Sequence, residues 1–193
     1  MTQPYEQLPL FPLTAHVLPH GSLRLRIFEP RYTRLVKRCM AEQTDFVICM
    51  FDANEGKDSQ KYILPYGTAV SITDFEMLED GFLGITVEGK SRVKIHQHHR
   101  EPDGLNIGES QRLPAWQPKP ATEQHELLIK RLQEIYATYP ELGSLYEKPN
   151  FDDLSWLCQR WLEILPLDVY TKQDLLKHDN SENVAQYLLQ LVA

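Results

Sequence analysis

Apolar positions follow a strand period over most of the first two thirds of the chain and a helix period after it. Leu23-Arg24-Leu25-Arg26-Ile27 alternates, which predicts a half-buried strand with Leu and Ile inward and Arg outward. The period then lengthens: Tyr32, Leu35, Val36 and Cys39 form one stripe, with Arg31, Arg34 and Arg38 on the opposite face of a helix. Pro30 suits the first turn of that helix, where no N–H is needed. Phe46 to Phe51 is an apolar run of strand length, and residues 54–59 are a loop by composition. Gly67–Phe75, Phe82–Val87 and Arg92–His96 read as further strands, with Glu79-Asp80-Gly81 and Glu88-Gly89-Lys90 as hairpin turns between them. Leu105 to Leu113 adds one more strand. Leu8-Pro9-Leu10-Phe11-Pro12-Leu13 has strand-like content, but two of its residues lack the ladder donor, so it is expected at an edge or in an extended crossing segment.

Pro114, Pro118 and Pro120 read as a linker, after which helices are expected. Thr122 is placed to cap a helix carrying Leu128, Leu132 and Ile135, which ends near Pro140. A second carries Leu154, Leu157, Trp161 and Leu165 up to Pro166. Asp168 and Ser181 are candidate caps for two more, through Leu175-Leu176 and through Val184, Leu188 and Leu191. The expectation is an α+β chain: a curled antiparallel sheet or β-barrel with one inserted helix over residues 1–115, then a small α-helical bundle over 121–193.

Composition changes this picture little. Hydrophobic residues at 42% and charged residues at 24% exclude a largely disordered chain. No apolar run is long enough for a membrane span, and the start of the chain lacks a basic region followed by an apolar one, so no membrane partner is expected. Cys39, Cys49 and Cys158 are odd in number and widely spaced, which fits a reducing cytoplasm better than a disulfide framework or a zinc site. The net charge of −7 disfavours indiscriminate binding to nucleic acid, yet it conceals a basic stretch: Arg24, Arg26, Arg31, Arg34 and Arg38, with Lys37, face a single acid, Glu29. These five arginines are the candidate ligand-binding residues. Their plainer reading is the solvated side of one strand and one helix.

Other chemical patterns dissolve on inspection. Gly84 to Ser91 matches the phosphate-loop expression, but its middle residues alternate as a strand and no helix pattern follows. His96-Gln97-His98-His99, with His125 elsewhere, has no supporting cysteine or carboxylate pattern for a metal, and His16 and His20 are separated by Pro19. No serine sits in a nucleophile elbow, and Cys39 falls on an apolar stripe where a buried structural thiol is expected. No catalytic residue, metal or cofactor is therefore assigned.

Leu8-Pro9-Leu10-Phe11-Pro12-Leu13 followed by Ile27-Phe28-Glu29-Pro30-Arg31-Tyr32 resembles the opening of the Lon protease amino-terminal domain family. Tyr66-Gly67-Thr68-Ala69, the stretch from Glu88 to Val93, and Leu162-Glu163-Ile164-Leu165-Pro166-Leu167 with Lys172 to Leu176 are similar to later segments of that family, in the same order. The chain departs from the family in having Pro19-His20-Gly21-Ser22 where a Gly-Gly pair is common, and Arg24 where a Pro is common. The resemblance implies a PUA-like β-barrel with a helical part behind it. It further implies a non-catalytic binding module that recognises unfolded polypeptide or a protein partner of a Lon-type protease system, since 193 residues leave no room for the ATPase and Ser/Lys peptidase modules. The groove is expected on the barrel or between barrel and bundle. The Phe28-Glu29-Pro30-Arg31-Tyr32 motif is expected to be chiefly architectural. PUA-like folds elsewhere bind RNA, so the alternative is an RNA or nucleotide binder working through the five arginines.

Overall fold

The computed structural model describes residues 4–192 and divides into two compact units, Met1–Pro114 and Ala115–Ala193. In the first, six strands run β1 (Tyr5–Pro12), β2 (Ser22–Ile27), β3 (Phe46–Phe51), β4 (Ile63–Met77), β5 (Leu83–Arg100) and β6 (Asn106–Arg112), with helix α1 (Pro30–Glu42) inserted after β2. Their order is β2-β5-β4-β3-β1-β6, and β6 pairs again with β5, so five strands close on themselves while β2 hangs from β5. The closed sheet is not a regular barrel. Register shifts interrupt the β3–β4, β4–β5 and β5–β6 pairings, and β1 runs parallel to β3, where an antiparallel sheet was expected.

Alternation decides the packing. Phe46 and Ile48 join Leu35, Val36 and Cys39 of α1 in one core, while Val47 and Cys49 belong to a second core with Leu8, Leu10, Ala69 and Val93. β3 is therefore buried on both sides, which is why it reads as an unbroken apolar run. Leu10 fits because its side chain lies over Gly108: a Cβ there would stand 2.8 Å from Leu10 Cδ2.

β1 is not an edge strand, and its prolines explain how it avoids being one. Residues Tyr5 to Leu10 pair with β6, and Leu10 to Pro12 with β3, so the two ladders are staggered and overlap only at Leu10. Each proline thus has a neighbouring strand on one side only, Pro9 beside β6 and Pro12 beside β3.

The second expected hairpin is also absent. Glu79-Asp80-Gly81 does turn, with Gly81 at φ 81° and Leu78 N–H donating to Phe82 O at 2.8 Å, but β5 runs straight through Glu88-Gly89-Lys90. Ala69 faces Ser91 and Val70 faces Gly89, so Lys90 is the extra residue of a bulge. Gly84 to Ser91 consequently lies along one strand, without the strand-loop-helix turn a phosphate site needs.

The second unit contains a short 3-10 turn at Glu123–His125 and helices α2 (Glu126–Thr138), α3 (Pro140–Gly143), α4 (Leu154–Ile164), α5 (Val169–Leu176) and α6 (Glu182–Val192). Asp153 and Asp168 cap α4 and α5, accepting from Ser155 N–H and Thr171 N–H. At the start of α6 the expected cap is displaced: Asn180 Oδ1 accepts from Glu182 N–H at 3.1 Å, while the buried Ser181 hydroxyl meets that of Ser155. Prolines 118 and 120 do not make a free linker. Trp116 Nε1 donates to His178 O at 2.7 Å, Leu154 N–H donates to Lys119 O, and Ala121 N–H donates to Asp152 O. The segment is an extended strap held along the helices.

Lys172 is only 4% exposed, and burial pushes its ammonium down to about 8 against the opposing pull of Glu163. Its folded pKa lies below its unfolded one, so between about pH 8 and pH 10 the unfolded chain holds more protons and stability rises with pH. Lys172→Met is expected to stabilise the unit by about 1–2 kcal/mol at pH 7 and to abolish that rise. Urea denaturation at neutral and alkaline pH measures both; equal stability of the two proteins at neutral pH would contradict the assignment.

Candidate functional site

Between β2 and α1 the chain turns through Ile27-Phe28-Glu29-Pro30-Arg31-Tyr32. Pro30 forces Glu29 out of helical geometry, and Glu29 sits extended at the helix start with φ −78° and ψ 134°. Its carbonyl accepts from the N–H groups of Tyr32 and Thr33, while its carboxylate pairs with Arg31 at 2.8 Å. Arg31 also donates through Nη1 to Gly104 O at 3.2 Å and stacks 4.8 Å above the Tyr32 ring. Gly104 takes φ 90° in the turn that presents Asp103 and Glu101 to Arg34. Asp103 contacts Arg34 Nε at 2.6 Å and Nη2 at 2.9 Å, and this pairing holds the Asp103 carboxyl below its usual range. The motif thus ties α1 to the turn before β6.

The same junction forms one wall of a cleft of about 260 Å³. Phe11, Phe28, Tyr32, Phe51 and Tyr62 supply its aromatic surface, and Arg26, Arg31, Lys57 and Arg100 its cations, against one acid, Glu29. Tyr32 meets Phe11 edge-on with ring centroids 4.0 Å apart, and Phe51 stacks on Tyr62 at 5.3 Å. Burial pushes the Tyr32 phenol up to about 12 and raises that of Tyr62, so both remain hydrogen-bond donors at neutral pH. Phe28 stands at the rim, 61% exposed, beside Phe82, over which Arg26 lies at 4.7 Å.

The five candidate arginines do not form one surface. Arg26 and Arg31 line the cleft, whereas Arg24 lies with Asp74 and Glu76 beside the β4–β5 ribbon. Arg34 and Arg38 sit along the outer face of α1 with Lys37. Carboxylates hold most of them: Arg26 meets Asp80 at 2.6 Å, Arg31 meets Glu29, Arg34 meets Glu101 and Asp103, and Arg38 meets Glu42 at 3.4 Å. Asp80, Glu101 and Asp103 come from turns distant in sequence, whereas Glu29 and Glu42 are local partners.

Phe51, Lys57, Tyr62, Arg100 and Asn106 belong to the cleft although no sequence pattern singles them out. A polar residue between Leu105 and Ile107 is the single local signal, because a buried strand position seldom holds an amide without reason.

The histidines stay separate. His96 makes an edge contact with Tyr5 at 4.8 Å and a hydrogen bond with Gln111, and the β5–β6 register shift falls at His96. His125 accepts from Thr122 N–H through Nδ1 at 3.0 Å, which requires a neutral ring, in keeping with a pKa lowered by burial. Among the described residues no group of three or more His, Cys, Asp or Glu is placed to hold a metal. Cys39, Cys49 and Cys158 are buried, and burial raises all three thiols, that of Cys158 to about 12, which leaves them unreactive. No helix among the described residues is long and apolar enough to cross a membrane.

A closed, bulged sheet with an aromatic cleft at its strand-to-helix junction, in a chain that continues into a helical unit, is an α+β architecture. The family model of the ATP-dependent protease La (Lon) substrate-binding domain matches residues 7–193, and the chain belongs to this family. Among solved structures it is similar to the Lon N-terminal domain protein from Xanthomonas campestris, at 28% identity and a TM-score of 0.75, over 97% of this chain and 99% of that one. The N-terminal domain of the Mycobacterium avium complex Lon protease shares the fold at 16% identity and a TM-score of 0.68, over 97% of this chain and 98% of that one.

Proposed function

We propose that this chain holds flexible or unfolded polypeptide, or a partner protein presenting such a segment, for a Lon-type proteolytic system, and that the aromatic cleft is where it does so. The observation that carries the reading is the cleft's exposed rim: Phe28 leaves 61% and Phe82 39% of their surface in water next to a concave aromatic wall. Exposed apolar clusters rimmed by polar groups mark interaction sites, and aromatic anchors dominate binding energy where they fill pockets. β2 pairs with one neighbouring strand, so an extended peptide laid beside it gains backbone hydrogen bonds while the cleft reads its side chains. Arg26 and Arg31 serve this site through their place in its wall. Arg34 and Arg38 are occupied by Glu101, Asp103 and Glu42. Phosphate contact draws on unspent cations, so this arrangement lends the RNA alternative no support. Three buried, unpaired thiols favour a reducing compartment such as the cytoplasm.

The test is a titration of the protein into a labelled, permanently unfolded model polypeptide. Micromolar binding is expected, and Phe28→Ala is expected to weaken it about tenfold. The exposed ring contributes little to folding, so the melting temperature of this variant should match the parent. No binding at high micromolar concentration, or binding untouched by Phe28→Ala and Phe82→Ala together, would overturn the proposal.

A further inference from the structure

The cleft's polar groups are unevenly satisfied. Asn106 is only 5% exposed, its backbone is paired with β1 and β5, and its side-chain amide has no hydrogen-bond partner among the described residues. Buried amides are ordinarily bonded, and one left open in a cleft wall is available to a ligand. The Tyr32 and Tyr62 hydroxyls and the Lys57 ammonium are equally unspent. The charges of the remaining cations are paired, Arg26 with Asp80, Arg31 with Glu29, and Arg100 with Asp58 at 2.5 Å and with Lys57 O at 2.7 Å, while Arg31 Nε is buried without a hydrogen-bond partner. Glu29, the acid of the wall, is likewise occupied by Arg31. What the cleft has to offer is therefore several donors and one free positive charge, set among aromatic rings.

We propose that the cleft takes the carboxylate end of a polypeptide whose last residue is apolar, an inference that rests on the polypeptide reading above. A carboxylate is an acceptor-only group of single charge, matched by one ammonium and neutral donors, whereas a phosphate dianion calls for more free cation than Lys57 supplies. The volume of about 260 Å³ lies below the usual range for drug-sized ligands, so it admits one large side chain rather than a threaded segment. A C-terminal Phe or Leu carries its carboxylate and its apolar body on one carbon, so both reach the cleft together. An internal Asp or Glu brings the charge without the apolar body.

The experiment measures anisotropy of an N-terminally labelled peptide ending in Leu-Phe with a free carboxylate, and of the same peptide ending in an amide. The acid is expected to bind about tenfold more tightly than the amide. Lys57→Glu should remove most of that difference without affecting folding, since Lys57 is an exposed loop residue whose ammonium has no partner among the described residues. Equal binding of acid and amide would overturn the inference and leave the polypeptide reading standing. The same holds if neither peptide binds while the unfolded model polypeptide does. If neither the peptides nor the unfolded polypeptide binds, both readings fall. Displacement of the peptide by N-acetyl-phenylalanine at the peptide's own affinity would overturn the inference by reassigning the cleft to small apolar acids.

Discussion

Arg160→Ala is expected to cost the helical unit about 3–5 kcal/mol, enough to leave it largely unfolded near physiological temperature. The Arg160 side chain is fully buried and meets Glu163 through two parallel bonds, Nε to Oε2 at 2.8 Å and Nη2 to Oε1 at 2.9 Å. Its guanidinium lies 5.3 Å from the Trp156 ring and 5.5 Å from that of Tyr146, and those two rings meet edge-on. Phe151 and Tyr136 extend the cluster. Truncation removes both hydrogen bonds and the cation between the rings. It also takes from the Glu163 carboxylate, whose side chain is 9% exposed, its hydrogen-bonded guanidinium, leaving Lys172 as a cation that it still attracts. The large cost comes from a buried carboxylate losing its bidentate partner rather than from any great net worth of the pair, since desolvation offsets most of the attraction in an intact buried ion pair. A second variant separates the two: Arg160→Met with Glu163→Leu removes both charges and should recover most of the lost stability. Urea denaturation followed by helical circular dichroism reads both proteins. A loss below about 1 kcal/mol for Arg160→Ala would show that water reaches Glu163 and that the pair behaves as a surface one.

The same region shows what a sequence can reveal. Leu128 and Leu132 of α2 and Leu154, Leu157 and Trp161 of α4 recur at helical spacing because each helix buries a stripe against its neighbours, and both stripes are legible from the residues. Asp168 is legible as a cap because its bond to Thr171 N–H is local. Arg160 is not legible. A cation three residues before an acid reads as an exposed helical pair, and its burial depends on aromatic rings reached from Tyr146 and Trp156. The cleft follows the same division. Its β2–α1 wall lies in one continuous motif, whereas Phe51, Tyr62 and Asn106 arrive from three strands or loops through sheet closure. The basic stretch misleads for a related reason: Asp80, Glu101 and Asp103, which spend its charges, are supplied by turns about 50 to 70 residues downstream, beyond any local pattern.

Gly89→Ala is the second large effect, an expected loss of about 3 kcal/mol in the sheet unit and a fall of more than about 10 °C in its Tm. Glu88-Gly89-Lys90 invites a turn because Gly between charged residues usually marks one, but the glycine is needed here for space. A Cβ on Gly89 would lie 2.1 Å from Leu18 O and 2.7 Å from Leu18 C. The backbone on either side is fixed: His20 N–H donates to Gly89 O and Gly89 N–H donates to Gly21 O, both at 2.9 Å. His20 itself holds the left-handed conformation, φ 63°, which is uncommon for a residue other than glycine, so this turn is already strained and has little freedom to retreat. Admitting the methyl group means breaking those two bonds and lifting Val17 and Leu18, both 2% exposed, out of the packed interior. Gly81→Ala provides the contrast. Nothing lies within 4 Å of a Cβ there, and its φ of 81° makes the penalty conformational alone, about 1 kcal/mol. If Gly89→Ala melted no lower than Gly81→Ala, the close approach of residues 18–21 to β5 would be disproved. If it melted far lower, the position that looks most like a turn would be the one that holds the 18–21 turn against β5.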